Sequence, residues 1–238
     1  MAKYEKNGED SYALGTTLAL ELLMRKPKAA TRLYISPKQK KDDTYQKLLN
    51  IARSLPIPVI ENNEKIFREL SDKENCMVIA EFSKFETPLE KETNHVLLVN
   101  PSNMGNLGTI IRCCAAFGVL DLGIILPAAD RFDPKCIRAS MGAIFNVRTQ
   151  AFSSFEEYQA AYANHACYPF MLQAKTKLGD AHPASPWTLI FGNEATGLDA
   201  SYLSVGEPLI IPKTDLVDSL NLDNAVAIGI YEFAKNLL

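Results

Sequence analysis

A chain of 238 residues with a formal net charge of −3, 47% hydrophobic and 22% charged residues, has room for one large or two modest domains, each with a real core. No apolar run reaches membrane-spanning length, and the start, MAKYEKNGEDSY, lacks the pattern of a signal peptide. The five cysteines (Cys76, Cys113, Cys114, Cys136, Cys167) show no CxxC spacing, and the three histidines (His95, His165, His182) are scattered, which favours reduced thiols in the cytoplasm and argues against a metal site.

The charge is unevenly placed. Residues 1–50 carry ten Lys/Arg against six Asp/Glu, and residues 100–150 five against three. Residues 51–99 carry six against nine, and residues 151–238 four against ten. A polyanion could meet the two basic blocks, although a solvated surface with chance asymmetry gives the same count.

Taken in order, Ala13 to Met24 reads as an amphipathic helix closed by Pro27. Residues 31–36 read as a strand, 44–54 as a helix, 57–61 as a short strand, 64–70 as a helix and 76–82 as a strand. The pattern predicts an α/β sandwich over residues 1–82. Its Lys38-Gln39-Lys40-Lys41 turn is either solvated or a phosphate-contacting loop. Residues 83–93, polar and broken by Pro88, read as a linker.

The second half, residues 94–238, alternates strands and helices. HVLLVNP (95–101) is apolar enough to be buried on both faces. Helix 107–117, strand 121–127, helix 134–141, strand 145–152, helix 155–164, strand 168–174 and strand 187–192 follow. A short helix near Ser201, a strand at 209–212 and a last helix from Leu222 complete a doubly wound parallel sheet.

Three loops stand out. In NPSNMGNLGTIIR (100–112), Asn103, Gly105, Asn106 and Gly108 form a turn and Arg112 follows. This is not GxGxxG, so a dinucleotide site is weakly supported. Arg112 near a helix start runs against the macrodipole, which implies a phosphate or carboxylate partner; a surface arginine lying along the helix is the plain alternative. In FGNEATGL (191–198), Gly192 and Gly197 have Walker spacing without the Lys-Ser/Thr. Glu194 there would accept hydrogen bonds or orient Arg112, or simply be solvated. The third loop, Pro212 to Asn221, ends in Ser219-Leu220-Asn221 before an apolar helix that Asn221 or Asp223 could cap.

Together, NPxNxGNxGxxxRxxxxFG, FGxExxGL and IPxxxxxxSLNxxxA, with RASMGAIFNV (138–147) between them, resemble the SpoU/TrmH family of RNA ribose 2′-O-methyltransferases of the SPOUT class. Residues 1–82 resemble the ribosomal-protein-like domain many members carry to bind substrate RNA, with Asn75-Cys76-Met77 where members often have His-Gln-Gly. The resemblance implies a deep C-terminal trefoil knot, which ordinary topology rules disfavour, and a homodimer through that domain. It implies S-adenosyl-L-methionine as cofactor, held by Leu172, Gln173, Ala174, Gly192, Asn193, Glu194, Gly197, Ile211, Pro212, Ser219, Leu220 and Asn221. It implies catalytic roles for Arg112 at the phosphate and hydroxyl, Asn103 at the ribose or Arg112, Glu194 holding both, and Ser219 and Asn221 closing the site. The partner it implies is an rRNA or tRNA, and no membrane or metal is expected. Two other classes stand beside this: a non-catalytic RNA-binding or ribosome-assembly protein that kept the fold, and a nucleotide-dependent enzyme on a flavodoxin-like sheet. The intact polar set argues against the first, and the missing phosphate motifs against the second.

Overall fold

The computed structural model of the chain describes residues 4–71 and 75–237; the first three residues and residues 72–74 of the expected N-terminal domain, and the last residue of the chain, lie outside the described residues. In the amino-terminal half the elements are β1 (Asp10–Leu14), α1 (Thr16–Arg25), β2 (Ala30–Ile35), α2 (Asp43–Arg53), β3 (Val59–Glu61), α3 (Glu64–Leu70) and β4 (Val78–Ser83). Then come β5 (His95–Val99), α4 (Met104–Ala116), β6 (Asp121–Ile125), α5 (Pro134–Ala139), β7 (Arg148–Phe152), α6 (Phe155–Ala161), β8 (Ala166–Pro169) and β9 (Thr176–Lys177). The chain closes with β10 (Trp187–Phe191), β11 (Leu209–Ile210) and α7 (Leu222–Ala234). It is a mixed α/β protein with a parallel sheet.

Packing divides these elements into two units. One runs to Phe85 and takes in Asp130–Asn146; the other comprises Glu86–Ala129 and the chain from Val147 onward. The first unit holds a four-stranded sheet of order β1-β4-β2-β3, in which β4 is antiparallel to both neighbours and β2 is parallel to β3. Here the chain departs from the helix expected over Ala13 to Met24. Ser11, Tyr12 and Ala13 are all buried and pair with β4, so the strand has no polar face and no period of two to betray it. Gly15, at φ 111°, then turns the chain into α1.

The segment 130–146, part of the second domain in the sequence reading, packs with the first unit. Phe132 and Phe145 meet Phe82 with ring centroids 5.9 and 5.5 Å apart. Lys84 Nζ lies 2.9 Å from Asp130 Oδ2, and the Tyr4 hydroxyl donates to the same carboxylate. Aromatic side chains so far apart in sequence leave no local signal of this contact.

The second unit is built on a five-stranded, all-parallel sheet of order β7-β6-β5-β10-β8. Strands alternate which face they present. On one face Leu97, Phe152 and Ile190 pack with Tyr158 and Tyr162 from the α6 segment. On the other, Trp187 and Tyr168 place their rings 5.3 and 4.9 Å from Phe233 of α7. The strand order reverses between β5 and β10, and the loops leaving their carboxyl ends part there, which makes a crevice.

The opposite end of this sheet is closed by a buried polar network. His95 Nδ1 lies 2.8 Å from the Tyr158 hydroxyl, which lies 2.7 Å from Thr188 Oγ1; His165 Nδ1 meets the same threonine at 2.9 Å. The other ring nitrogens of His95 and His165 donate to the carbonyls of Glu90 and Lys91. Asp121 accepts from the Glu90 N–H and Thr93 hydroxyl and pairs with Arg148. Residues 89–93, read from sequence as linker, are thus fastened to the second unit. Burial, above all, pushes His95 down to about 4, with the neighbouring His165 adding to it. An unfolded histidine takes a proton near pH 6.5, so the unfolded chain binds it first as pH falls. Unfolding free energy is therefore expected to fall between about pH 6.5 and pH 4, and His95→Gln to flatten that slope, as measured by urea denaturation across the range.

Candidate active site

The crevice is shaped by residues that only a special backbone could use. Asn100, at φ 52°, ends β5 in a left-handed turn, and its carbonyl accepts from Asn193 Nδ2 at 2.7 Å. After β10, Asn193 and Gly197 exchange backbone hydrogen bonds of 3.2 and 2.9 Å across a tight turn, with Gly197 at φ 68°. A Cβ on Gly192 would stand 2.1 Å from the Gly197 carbonyl carbon, so this turn closes only over a glycine.

The turn aims Glu194 at the start of α4. Its Oε2 accepts from the Ser102 N–H and hydroxyl at 3.0 and 2.8 Å, and its Oε1 from the Asn103 N–H at 3.1 Å. Burial alone would raise this carboxyl, but the bonds from Ser102 and Asn103 outweigh it and hold it below the usual carboxylate range. Asn103 is the N-cap: its Oδ1 accepts from the Gly105 and Asn106 N–H groups at 2.8 and 3.1 Å. The Asn106 side-chain amide then spans two loops, donating to Glu194 Oε1 at 3.3 Å and Asn221 Oδ1 at 3.4 Å. Asn221 in turn caps α7, accepting from the Leu222 N–H at 2.9 Å. One carboxylate and one amide therefore join the loops after β5, β10 and β11.

Beside this junction lies a cavity of about 280 Å³. Phe170 and Phe191 stack along its wall, 4.3 Å between centroids. Gly229 of α7 admits them: a Cβ there would sit 2.8 Å from Phe170 and 3.0 Å from Phe191. The floor and rim come from the Gly192–Gly197 turn, the β11 strand and the Ser219-Leu220 segment. A mostly apolar slot with a backbone-lined mouth suits a flat heteroaromatic ligand that carries polar groups.

A model described as the SpoU rRNA Methylase family matches residues 93–231, more than half of the chain. The chain belongs to the SpoU family. A second model, RNA 2′-O ribose methyltransferase substrate binding, matches residues 12–88. The chain is 30% identical over 157 residues to a 23S rRNA (uridine(2479)-2′-O)-methyltransferase of Streptomyces viridochromogenes, an alignment covering 62% of this chain and 54% of that protein. It is 29% identical over 174 residues to the 23S rRNA (guanosine(2553)-2′-O)-methyltransferase of Bacillus subtilis, covering 71% and 69%. The fold is that of the SpoU methyltransferase AviRb from Streptomyces viridochromogenes, solved in complex with AdoMet: TM-score 0.83, 22% identity, 96% of this chain and 91% of that one.

In this SpoU chain the cavity is lined by Leu172, Gly192, Asn193, Glu194, Gly197, Ile211, Ser219 and Leu220 of the residues expected to bind cofactor; Gln173, Ala174, Pro212 and Asn221 are not among its lining residues. Of the residues expected to be catalytic, Glu194 and Ser219 line the cavity, and Asn103 and Asn221 are tied to it through Glu194 and Asn106.

Arg112 stands apart. Helix α4 starts at Met104, not Leu107, because Asn103 caps it; Arg112 therefore lies past the helix midpoint, and the macrodipole argument for a partner lapses. It is exposed, and Glu194 is occupied by Ser102, Asn103 and Asn106, not by this arginine. Asn106 is the residue that sequence reasoning passed over. By sequence it reads only as a turn former, and nothing in its spacing says that its amide reaches two other loops. The aromatic wall of Phe170 and Phe191 also escaped, since each reads as ordinary core.

Because no rotamer can relieve a Cβ-to-backbone overlap, Gly192→Ala is expected to open the Gly192–Gly197 turn and cost cavity ligands at least about tenfold in affinity. Calorimetry with S-adenosylmethionine, checked by far-UV circular dichroism for intact fold, measures this.

Proposed function

We propose that this chain is an RNA methyltransferase that moves a methyl group from S-adenosyl-L-methionine to a ribose 2′-hydroxyl of an rRNA or tRNA. The observation that carries the reading is the junction itself: three loop ends, joined through Glu194 and Asn106, stand beside a cavity with an aromatic wall. The fit to the cofactor rests on that cavity and on Gly192, whose missing side chain leaves room for the turn that bounds it. When bound, the cofactor supplies an electrophilic methyl on a sulfonium.

The chain's residues then position and charge the acceptor. Asn103, Asn106 and Glu194 hold the start of α4 at a fixed distance from the cavity, so the ribose is presented in one orientation. Arg112, exposed on α4, meets the phosphate beside the target ribose. Its guanidinium stays protonated, so it stabilises the developing alkoxide while the hydroxyl proton passes to solvent water and the neutral thioether leaves. Ser219 and Asn221 complete the polar rim. The requirement for a 2′-hydroxyl selects RNA over DNA. The amino-terminal domain, residues 1–82, contributes substrate RNA binding, with the match over residues 12–88 in support.

The same reading includes a trefoil knot in the carboxyl-terminal domain and a homodimer through it, acting in the cytoplasm. Exposed Ile228 and Tyr231 on α7, the latter beside Phe117 just after α4, support a protein partner for that face. Among the described residues no helix is long and apolar enough to cross a membrane, and no group of three or more His, Cys, Asp or Glu could hold a metal ion.

The test is transfer of a labelled methyl group to ribosomal or transfer RNA, followed by nucleoside analysis for 2′-O-methylation. Arg112→Ala is expected to lower the rate about 100-fold or more while leaving cofactor affinity within about twofold. Full activity in that variant would remove Arg112 from the mechanism, and wild-type protein that methylates no RNA would remove the reading.

A further inference from the structure

The catalytic half of the chain is acidic, with ten Asp/Glu against four Lys/Arg in residues 151–238. An RNA partner does not explain this, because a polyanion is repelled by such a surface. The charged groups that line the cavity are Glu194, Lys213 and Asp218. Two of them are engaged elsewhere. Glu194 accepts hydrogen bonds at both oxygens from the start of α4. Lys213 turns its ammonium onto the Val217 carbonyl at 2.6 Å and so cinches its own loop.

Asp218 is different. Among the described residues its carboxylate has no hydrogen-bond or ion-pair partner, yet it lines the cavity one position before Ser219. No lysine or arginine other than the engaged Lys213 is among the lining residues. Hydrogen bonds to uncharged groups leave the charges of Glu194 and Lys213 in place, so the three lining charges sum to −1, and Asp218 carries the carboxylate that no hydrogen bond occupies.

We propose that Asp218 is a specificity residue that supplies the counter-charge for a cationic ligand and so distinguishes the sulfonium form of the cofactor from its neutral thioether product. This rests on the methyltransferase reading above. Loss of the methyl group turns a positively charged sulfur into an uncharged one, while the adenosine and amino-acid parts stay the same. A carboxylate at the cavity stabilises the first more than the second, which favours retention of cofactor and departure of product. Being on an exposed loop, it acts through partly screened water, so its effect is a modest factor in affinity.

The test is calorimetric titration of the full chain with S-adenosylmethionine, S-adenosylhomocysteine and sinefungin, whose amine places a cation where the sulfonium would be. Asp218→Asn is expected to weaken S-adenosylmethionine and sinefungin by about fivefold to tenfold, and S-adenosylhomocysteine by less than about twofold. Asp218→Glu, which keeps the charge, is expected to retain most of the preference, and raising the salt concentration to narrow it in the wild type. Equal weakening of all three ligands, or no change in any, would overturn the inference and leave the methyltransferase reading standing. Wild-type protein that binds none of the three would sink both. Circular dichroism of each variant separates lost charge from lost fold.

Discussion

The site depends on one carboxylate held against the start of one helix. The first N–H groups of α4 have no partner inside the helix, and they carry the positive end of its dipole. Asn103 Oδ1 takes those of Gly105 and Asn106, and Glu194 meets the N–H groups of Ser102 and Asn103, the two residues just before the helix, with its two oxygens. Each such contact is worth about 0.3–1 kcal/mol on an exposed surface, more when partly buried as here. What matters more is what the contact joins. Glu194 comes from the end of β10 and α4 follows β5, adjacent strands at the place where the sheet's order reverses. The carboxylate ties shut a crevice that the topology opens.

Everything next to that bond serves to aim it. Gly192 and Gly197 bring the turn into a shape no side chain would allow, and Asn193 reaches back to the Asn100 carbonyl. Asn106 then passes the constraint on to Asn221, which caps α7. A helix whose apolar face is buried on Trp187 and Tyr168 becomes the support for the third loop. The cavity sits where the polar junction meets the aromatic wall, so its ligand meets both a flat apolar surface and fixed charge.

Much of this was legible in the sequence, for a physical reason. Loops that need left-handed or crowded backbone must use Gly, Asn and Pro, and these appear at Asn100, Pro101, Gly192 and Gly197. The parallel sheet showed itself in apolar strands such as 95–99 and 187–191. Other features left no such trace. Strand β1 is covered on both faces and adjoins a helix, so its residues continued the helical pattern. The segment 130–146 joins the first unit through Phe132 and Phe145, which look like any core residues. Asn103 and Asn106 are two asparagines in one turn, and the sequence cannot say that the first caps the helix while the second bridges loops. For the same reason the sequence does not choose between Glu194 accepting hydrogen bonds and orienting Arg112; in the structure its oxygens accept from Ser102, Asn103 and Asn106.

Amide hydrogen exchange across residues 102–106 tests the role of Glu194 most directly, comparing wild type with Glu194→Gln, which keeps the shape but not the charge. Exchange at Ser102 and Asn103 is expected to quicken about tenfold or more in the variant, with the strands of the parallel sheet unchanged. Unaltered protection at these two amides would mean that the start of α4 is held by something else, and that the carboxylate does not organise the site.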